Sequence, residues 1–199
     1  MTVIAHYRDV PEATLGFSVA LGNFDGVHAG HRAVIEAAAQ VEAPLGVATF
    51  EPPPRAFFRP EDPPFRLYRP ARRNRRLAQL GAGAVYELPF NADMAKMTDE
   101  EFARDVLKNG IGAKHVTVGF DFRFGRGRMG DAARLSSLGR ALGFGVTVVE
   151  KIEALGAKAS STAIREALIA GEPEKAADIL GHDWIVDGTV EHGEKRGRT

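Results

Sequence analysis

Apolar and polar positions along the chain follow two patterns: short runs rich in β-branched residues, and longer stretches of helical period. The short runs predict strands at Phe17–Leu21, Leu45–Phe50, Ala84–Leu88, His115–Val118 and Val146–Val149. The longer stretches predict helices at Arg32–Gln40, Arg72–Leu80, Asp99–Asn109, Ala132–Leu142, Thr162–Ala170 and Pro173–Leu180. Strands separated by helices indicate an α/β fold, a parallel sheet with helices on both faces. The run from Val116 to Gly119 is apolar or small throughout, which suits a strand buried on both sides. Ligands of such sheets bind beyond the carboxyl ends of the strands, so the loops that follow the strands carry the chemistry.

Two helix starts are well marked. Thr98 precedes Asp99, Glu100 and Glu101, a capping residue followed by first-turn acids. Ser160, Ser161 and Thr162 precede an amphipathic run that Gly171 closes. The proline-rich stretch Glu51–Pro70 reads as a long ordered loop able to act as a lid. Composition changes near Gly181, and from His182 onward the chain reads as short strands and turns.

The chain has 199 residues, enough for one large domain or one domain plus a fragment. Its 44% hydrophobic content supplies a core, and its formal net charge of zero gives no global field toward nucleic acid or an anionic membrane. With no cysteine there is no disulfide, thiolate metal site or cysteine nucleophile, which fits a reducing cytoplasm. Met1–Val10 lacks the pattern of a signal peptide, and no apolar run is long enough to span a bilayer. A cytoplasmic protein with neither membrane nor nucleic acid as partner is therefore expected.

The stretch Gly22–His31 leads from a predicted strand into a predicted helix and holds His28 and His31 among three glycines. Glycine lets backbone N–H groups approach an anion, and a helix start carries unpaired donors and partial positive charge. Such a turn is a phosphate cradle, and imidazoles there donate to phosphoryl oxygens. It is neither a Walker P-loop nor a dinucleotide fingerprint. Competing readings are an incidental pair of imidazoles and a metal site, the latter without a third ligand evident nearby.

Ser160–Arg165 is an N-cap cluster that also fits a second anion site, with Arg165 supplying charge. Residues Val118–Asp131 follow a buried strand and set Phe120, Phe122 and Phe124 among glycines. These rings either stack on a planar ligand or pack inward, and Asp121 can accept hydrogen bonds from an amine or ring N–H. Thr49–Arg55 is a stiff loop that walls a pocket or caps the sheet. Arg66, Arg69, Arg72, Arg73, Arg75 and Arg76 form a basic run, read as a solvated helix face rather than a nucleic-acid site because no aromatic platform accompanies it. His6, His115, His182 and His192 are expected to be structural or exposed.

The His28-x-Gly30-His31 pattern resembles the HxGH motif of the nucleotidyltransferase superfamily. In order along the chain stand Leu21–His31, Thr49–Pro52, Leu88–Phe90, Val118–Gly125, Gly130–Asp131 and Ser160–Arg165. Together these resemble the bacterial FAD synthetase family, which joins an N-terminal FMN adenylyltransferase module to a C-terminal riboflavin kinase module. The resemblance covers nearly all of residues 15–181 and implies a Rossmann-like nucleotidyltransferase fold. It also implies transfer of AMP from ATP to FMN, giving FAD and pyrophosphate, with Mg²⁺ accompanying ATP.

The resemblance implies that His28, His31 and Arg165 are catalytic, and that Ser161 and Thr162 hold the leaving pyrophosphate with Arg165. Gly22, Asn23, Phe24, Asp25, Gly30, Gly119, Asp121 and Phe124 are expected at the nucleotide and flavin contacts, with no protein-held metal. Pro53 stands where the family usually has histidine, and Arg73 stands near a usual lysine and is expected to take its role. Residues 1–181 are expected to form the adenylyltransferase domain. Residues 182–199 resemble a truncated start of the kinase module, and the Gly-Phe-Pro-Thr-Ala-Asn segment that continues it in the family is missing. Kinase activity is therefore not expected. Alternatives are transfer to another phosphorylated acceptor, such as phosphopantetheine or nicotinamide mononucleotide, and a non-catalytic flavin-binding module.

Overall fold

A computed structural model describes residues 1–62, 66–150, 153–154, 157–158, 160–188, 191 and 193. In chain order its strands are β1 (Thr2–Ile4), β2 (Ser18–Leu21), β3 (Leu45–Glu51), β4 (Ala84–Pro89) and β5 (His115–Gly119). They continue as β6 (Arg123–Phe124), β7 (Gly130–Asp131), β8 (Gly145–Val149), β9 (Glu153–Ala154) and β10 (Ala157–Lys158). The helices are α1 (Ala29–Ala39), α2 (Pro54–Phe58), α3 (Pro70–Gln79), α4 (Ala92–Lys96), α5 (Asp99–Glu101), α6 (Ala132–Leu142), α7 (Ser161–Ile169) and α8 (Pro173–Leu180).

Six strands form one sheet in the order β1-β4-β3-β2-β5-β8, every pair parallel. Adjacent residues of a strand face opposite sides. Val19, Leu21, Tyr86 and Val116 therefore join one core with Phe102, Leu107 and Leu135. Ala20, Val47 and Val85 join the other with Ile35 and Ala38 of α1 and Leu77 of α3. Full burial of each large apolar side chain contributes about 1.5–3 kcal/mol, so the sheet is a firm platform for the loops at its end. A smaller cluster locks α7 to α8 through Ile164, Ala167, Ala176 and Leu180, with Leu67 against it.

The five predicted strands and six predicted helices are all present, with shifts of up to three residues at most ends. The short elements β1, β6, β7, β9, β10, α2 and α4 escape the pattern. The predicted Asp99–Asn109 helix opens as α5 with the Thr98–Glu101 capping box in place. It then widens into a π-helix over Phe102–Lys108, closed by bonds such as Asn109 N–H to Arg104 O at 2.9 Å. Gly110 makes room for this, because a Cβ there would lie 2.7 Å from the Val106 carbonyl oxygen. The predicted loop Glu51–Pro70 contains α2, and its residues 63–65 lie outside the described residues. Of the expected kinase start, residues 189–190, 192 and 194–199 lie outside them too, and 183–188 join neither helix nor strand.

Candidate active site

Chain direction reverses across the sheet between β2 and β5. From β2 the chain moves outward to β3 and β4, then returns to β5 on the other side. Such a reversal leaves a crevice beyond the carboxyl ends of the two strands. An open cleft of about 1120 Å³ lies there, lined by residues following β2, β3, β4, β5 and β8 and by the start of α7.

The turn after β2 is unusual. Phe24 and Val27 both take positive φ, 50° and 48°, which costs side-chain-bearing residues on the order of 1–3 kcal/mol each. Burial offsets that cost, since Phe24 and Val27 are 1% and 0% exposed. Between them Gly26 sits at φ 85°, where a Cβ would lie 2.8 Å from Leu67 Cδ1. The turn thus presses into the core and delivers His28 as N-cap of α1. His28 Nδ1 accepts the backbone N–H of His31 at 3.3 Å, and the two rings stack with centroids 3.6 Å apart. With Nδ1 accepting, the neutral His28 ring carries its proton on Nε2, a donor on a residue that lines the cleft. His31 Nδ1 is buried with no hydrogen-bond partner among the described residues.

Burial first, then Arg32 and Arg165, pushes His28 down to about 4 against an opposing pull from Asp121. Burial, then His28 and Arg165, also holds His31 well below the usual imidazole range. Both rings are therefore neutral at pH 7 before an anion arrives.

Asp25 ties the distant segments together. Its carboxylate accepts the backbone N–H groups of Leu67 (3.1 Å) and Tyr68 (2.9 Å) and Nη2 of Arg165 (2.5 Å). Its main-chain oxygen accepts Ser161 Oγ at 2.8 Å. Ser160 caps α7 by accepting the Ala163 N–H at 3.2 Å. The start of α7 is thereby docked beside that of α1.

Of the residues expected at the site, Gly22, Asn23, Phe24, His28, Gly30, His31, Gly119, Asp121, Phe124, Ser161 and Thr162 line the cleft. Asp25 and Arg165 are not among its lining residues. Arg165 is close enough to act electrostatically on both imidazoles, but its Nη2 binds Asp25. The phenylalanines after β5 divide: Phe124 is 6% exposed and stacks on Phe122, whereas Phe120 is 45% exposed. The cleft also has an aromatic wall that the sequence pattern did not assemble, in which Phe90 meets Phe50 and Phe58 edge-on at 5.8 and 5.7 Å. Phe58 is 63% exposed at its rim. Its one sequence signal was the placement of Phe50 and Phe90 at strand ends.

The arginine run is not uniformly solvated. Arg73 is 3% exposed and pairs with Glu87 at 2.8 Å, while Arg66 grips Glu51 with bonds of 2.9 and 2.5 Å. These pairs pin the ends of β3 and β4 from which the aromatic wall rises. Among the described residues no group of three or more His, Asp or Glu side chains could hold a metal ion, and no helix is long and apolar enough to cross a membrane.

A sequence profile described as FAD synthetase matches residues 10–163. The bifunctional riboflavin kinase/FMN adenylyltransferase of Escherichia coli (strain K12) is 38% identical over 188 residues, 92% of this chain and 60% of that protein. The protein of the same description from Listeria monocytogenes is 37% identical over 189 residues, 91% of this chain and 59% of that one. The chain thus spans about 60% of the length of these relatives. A solved structure described as a macrolide-efflux protein from Streptococcus pneumoniae superposes with a TM-score of 0.82 at 30% identity, over 98% of this chain and 64% of that one.

Proposed function

Because the chain belongs to the FAD synthetase family, we propose that it transfers AMP from ATP to FMN, forming FAD and pyrophosphate. The observation that carries this reading is the pair of stacked, neutral imidazoles beside two helix starts at the sheet's reversal point. A phosphate oxygen of FMN attacks the α-phosphorus of ATP. A new P–O bond forms there as the bond to pyrophosphate breaks. No protein nucleophile takes part, so the residues position the reactants and offset charge that develops in transit.

His28 donates through Nε2–H to a phosphoryl oxygen, and His31 joins it from the first turn of α1, whose free N–H groups also face anions. Arriving phosphate draws both imidazoles toward their charged forms, strengthening the contact as negative charge builds. Ser161 and Thr162 at the start of α7 hold the departing pyrophosphate. Arg165, engaged by Asp25, adds positive potential and fixes α7 in place. Gly22, Asn23 and Gly30 leave room for the nucleotide. Asp121, Gly119 and the rings of Phe58, Phe90 and Phe120 take the flavin. Magnesium is proposed to accompany ATP as part of the substrate.

The proposed compartment is the cytoplasm. Residues 182–199 are proposed as the beginning of a kinase module. A panel of acceptors with ATP and Mg²⁺ tests the reading. FMN is expected to yield FAD, while riboflavin, phosphopantetheine and nicotinamide mononucleotide yield no product. Adenylylation of another acceptor in preference to FMN, or flavin binding without turnover, overturns it.

A further inference from the structure

A second cleft, of about 450 Å³, lies between α3 and the chain that follows α8. It shares no lining residue with the active-site cleft. One wall is Arg72, Arg75, Arg76 and Gln79, whose spacing places them on one face of α3. His182 and Asp183 form the other, with Tyr68 stacked on His182 and its hydroxyl 3.3 Å from Nδ1.

Charge in this cleft is unbalanced. Three guanidinium groups line it against one carboxylate, that of Asp183, although the chain as a whole is neutral. Arg72 reaches a further carboxylate, Asp187, only at 3.5 Å, and Arg76 Nη1 binds the neutral oxygen of Gln79 at 3.1 Å. Arg76 Nε is buried with no hydrogen-bond partner among the described residues. A buried donor left unpaired is costly, and an acceptor bound beside the three guanidinium groups accounts for it. Guanidinium forks match phosphate oxygens in shape and charge. The cleft is also of the size that small ligands occupy.

We propose that this cleft binds the phosphate or polyphosphate group of a small molecule, separately from the adenylyl-transfer site. The proposal does not depend on the reaction assigned to the first cleft.

The chain's single tryptophan, Trp184, sits between two lining residues, Asp183 and Ile185, and reports on the cleft. Pyrophosphate titrated into the full chain is expected to change its fluorescence saturably, beyond any change given by potassium chloride at equal ionic strength. The same titration persists in His31→Ala. It weakens about tenfold or more in Arg75→Gln/Arg76→Gln, the loss expected when charged donors are removed. Arg75→Gln alone, at an exposed position, weakens it in the same direction without risk to the fold. A parallel titration with ATP tells a free inorganic anion from a nucleotide tail as the natural source, and binding of either fits the proposal. No saturable response at millimolar pyrophosphate, a response matched by chloride, an unchanged titration in the double variant, or its loss in His31→Ala each overturns it.

Discussion

His31→Ala slows FAD formation by about 10²–10³-fold, the usual effect of losing one transition-state donor, while the chain keeps its fold. The helix start uses the backbone N–H of His31, which donates to His28 Nδ1 and survives in alanine. What disappears is an imidazole whose Nδ1 is buried without a partner among the described residues. Removing an unsatisfied buried nitrogen offsets the loss of ring stacking on His28, so stability is expected to change by no more than about 1 kcal/mol. The check is kcat at saturating ATP and FMN, with the melting temperature of the same preparation. A variant that melts normally and turns over near the parent rate removes His31 from the chemistry.

Asp25→Ala is expected to damage stability and activity together. The Asp25 and Arg165 side chains are only 13% and 22% exposed, and the substitution removes the carboxylate that accepts from the Arg165 guanidinium and from two backbone N–H groups. Breaking a buried pair by removing one partner costs about 3–5 kcal/mol. In a chain of this length that lowers the melting temperature by about 6–20 °C. Activity falls as well, because the start of α7 loses the anchor that holds it beside α1. Adding Arg165→Met removes the other half of the pair, so the double variant melts higher than the sum of the single losses implies. Additive losses show that the two side chains are not coupled.

The predicted layers are present because strand and helix periods are local properties, and β2, β3, β5 and α6 each announce themselves within one window. β1 carries only three residues, two of them exposed, too few to set a period. The π-helix is invisible for another reason. Phe102, Ala103, Val106 and Leu107 fall on one face of an α-helix as well as of a wider one, and the choice rests on Gly110 and the chain behind it. Within the site, residues inside a motif were legible, since His28, His31, Ser161 and Asp121 lie next to strand ends or helix starts. The Arg165–Asp25 bond joins residues 140 apart in sequence and was not legible. A lone arginine in a helix start gives no local sign of the distant carboxylate that it also binds. The aromatic wall likewise gathers Phe50, Phe58 and Phe90 from three elements, and only the strand order brings them together.

The most direct measurement follows the α-phosphorus of ATP. The purified chain is incubated with Mg²⁺, FMN and ATP labelled at that atom, and the products are separated. Label is expected in FAD, in equal amount to unlabelled pyrophosphate, with none passing through the protein. Label recovered as AMP or ADP, or left in ATP while FMN persists, contradicts adenylyl transfer at the paired histidines.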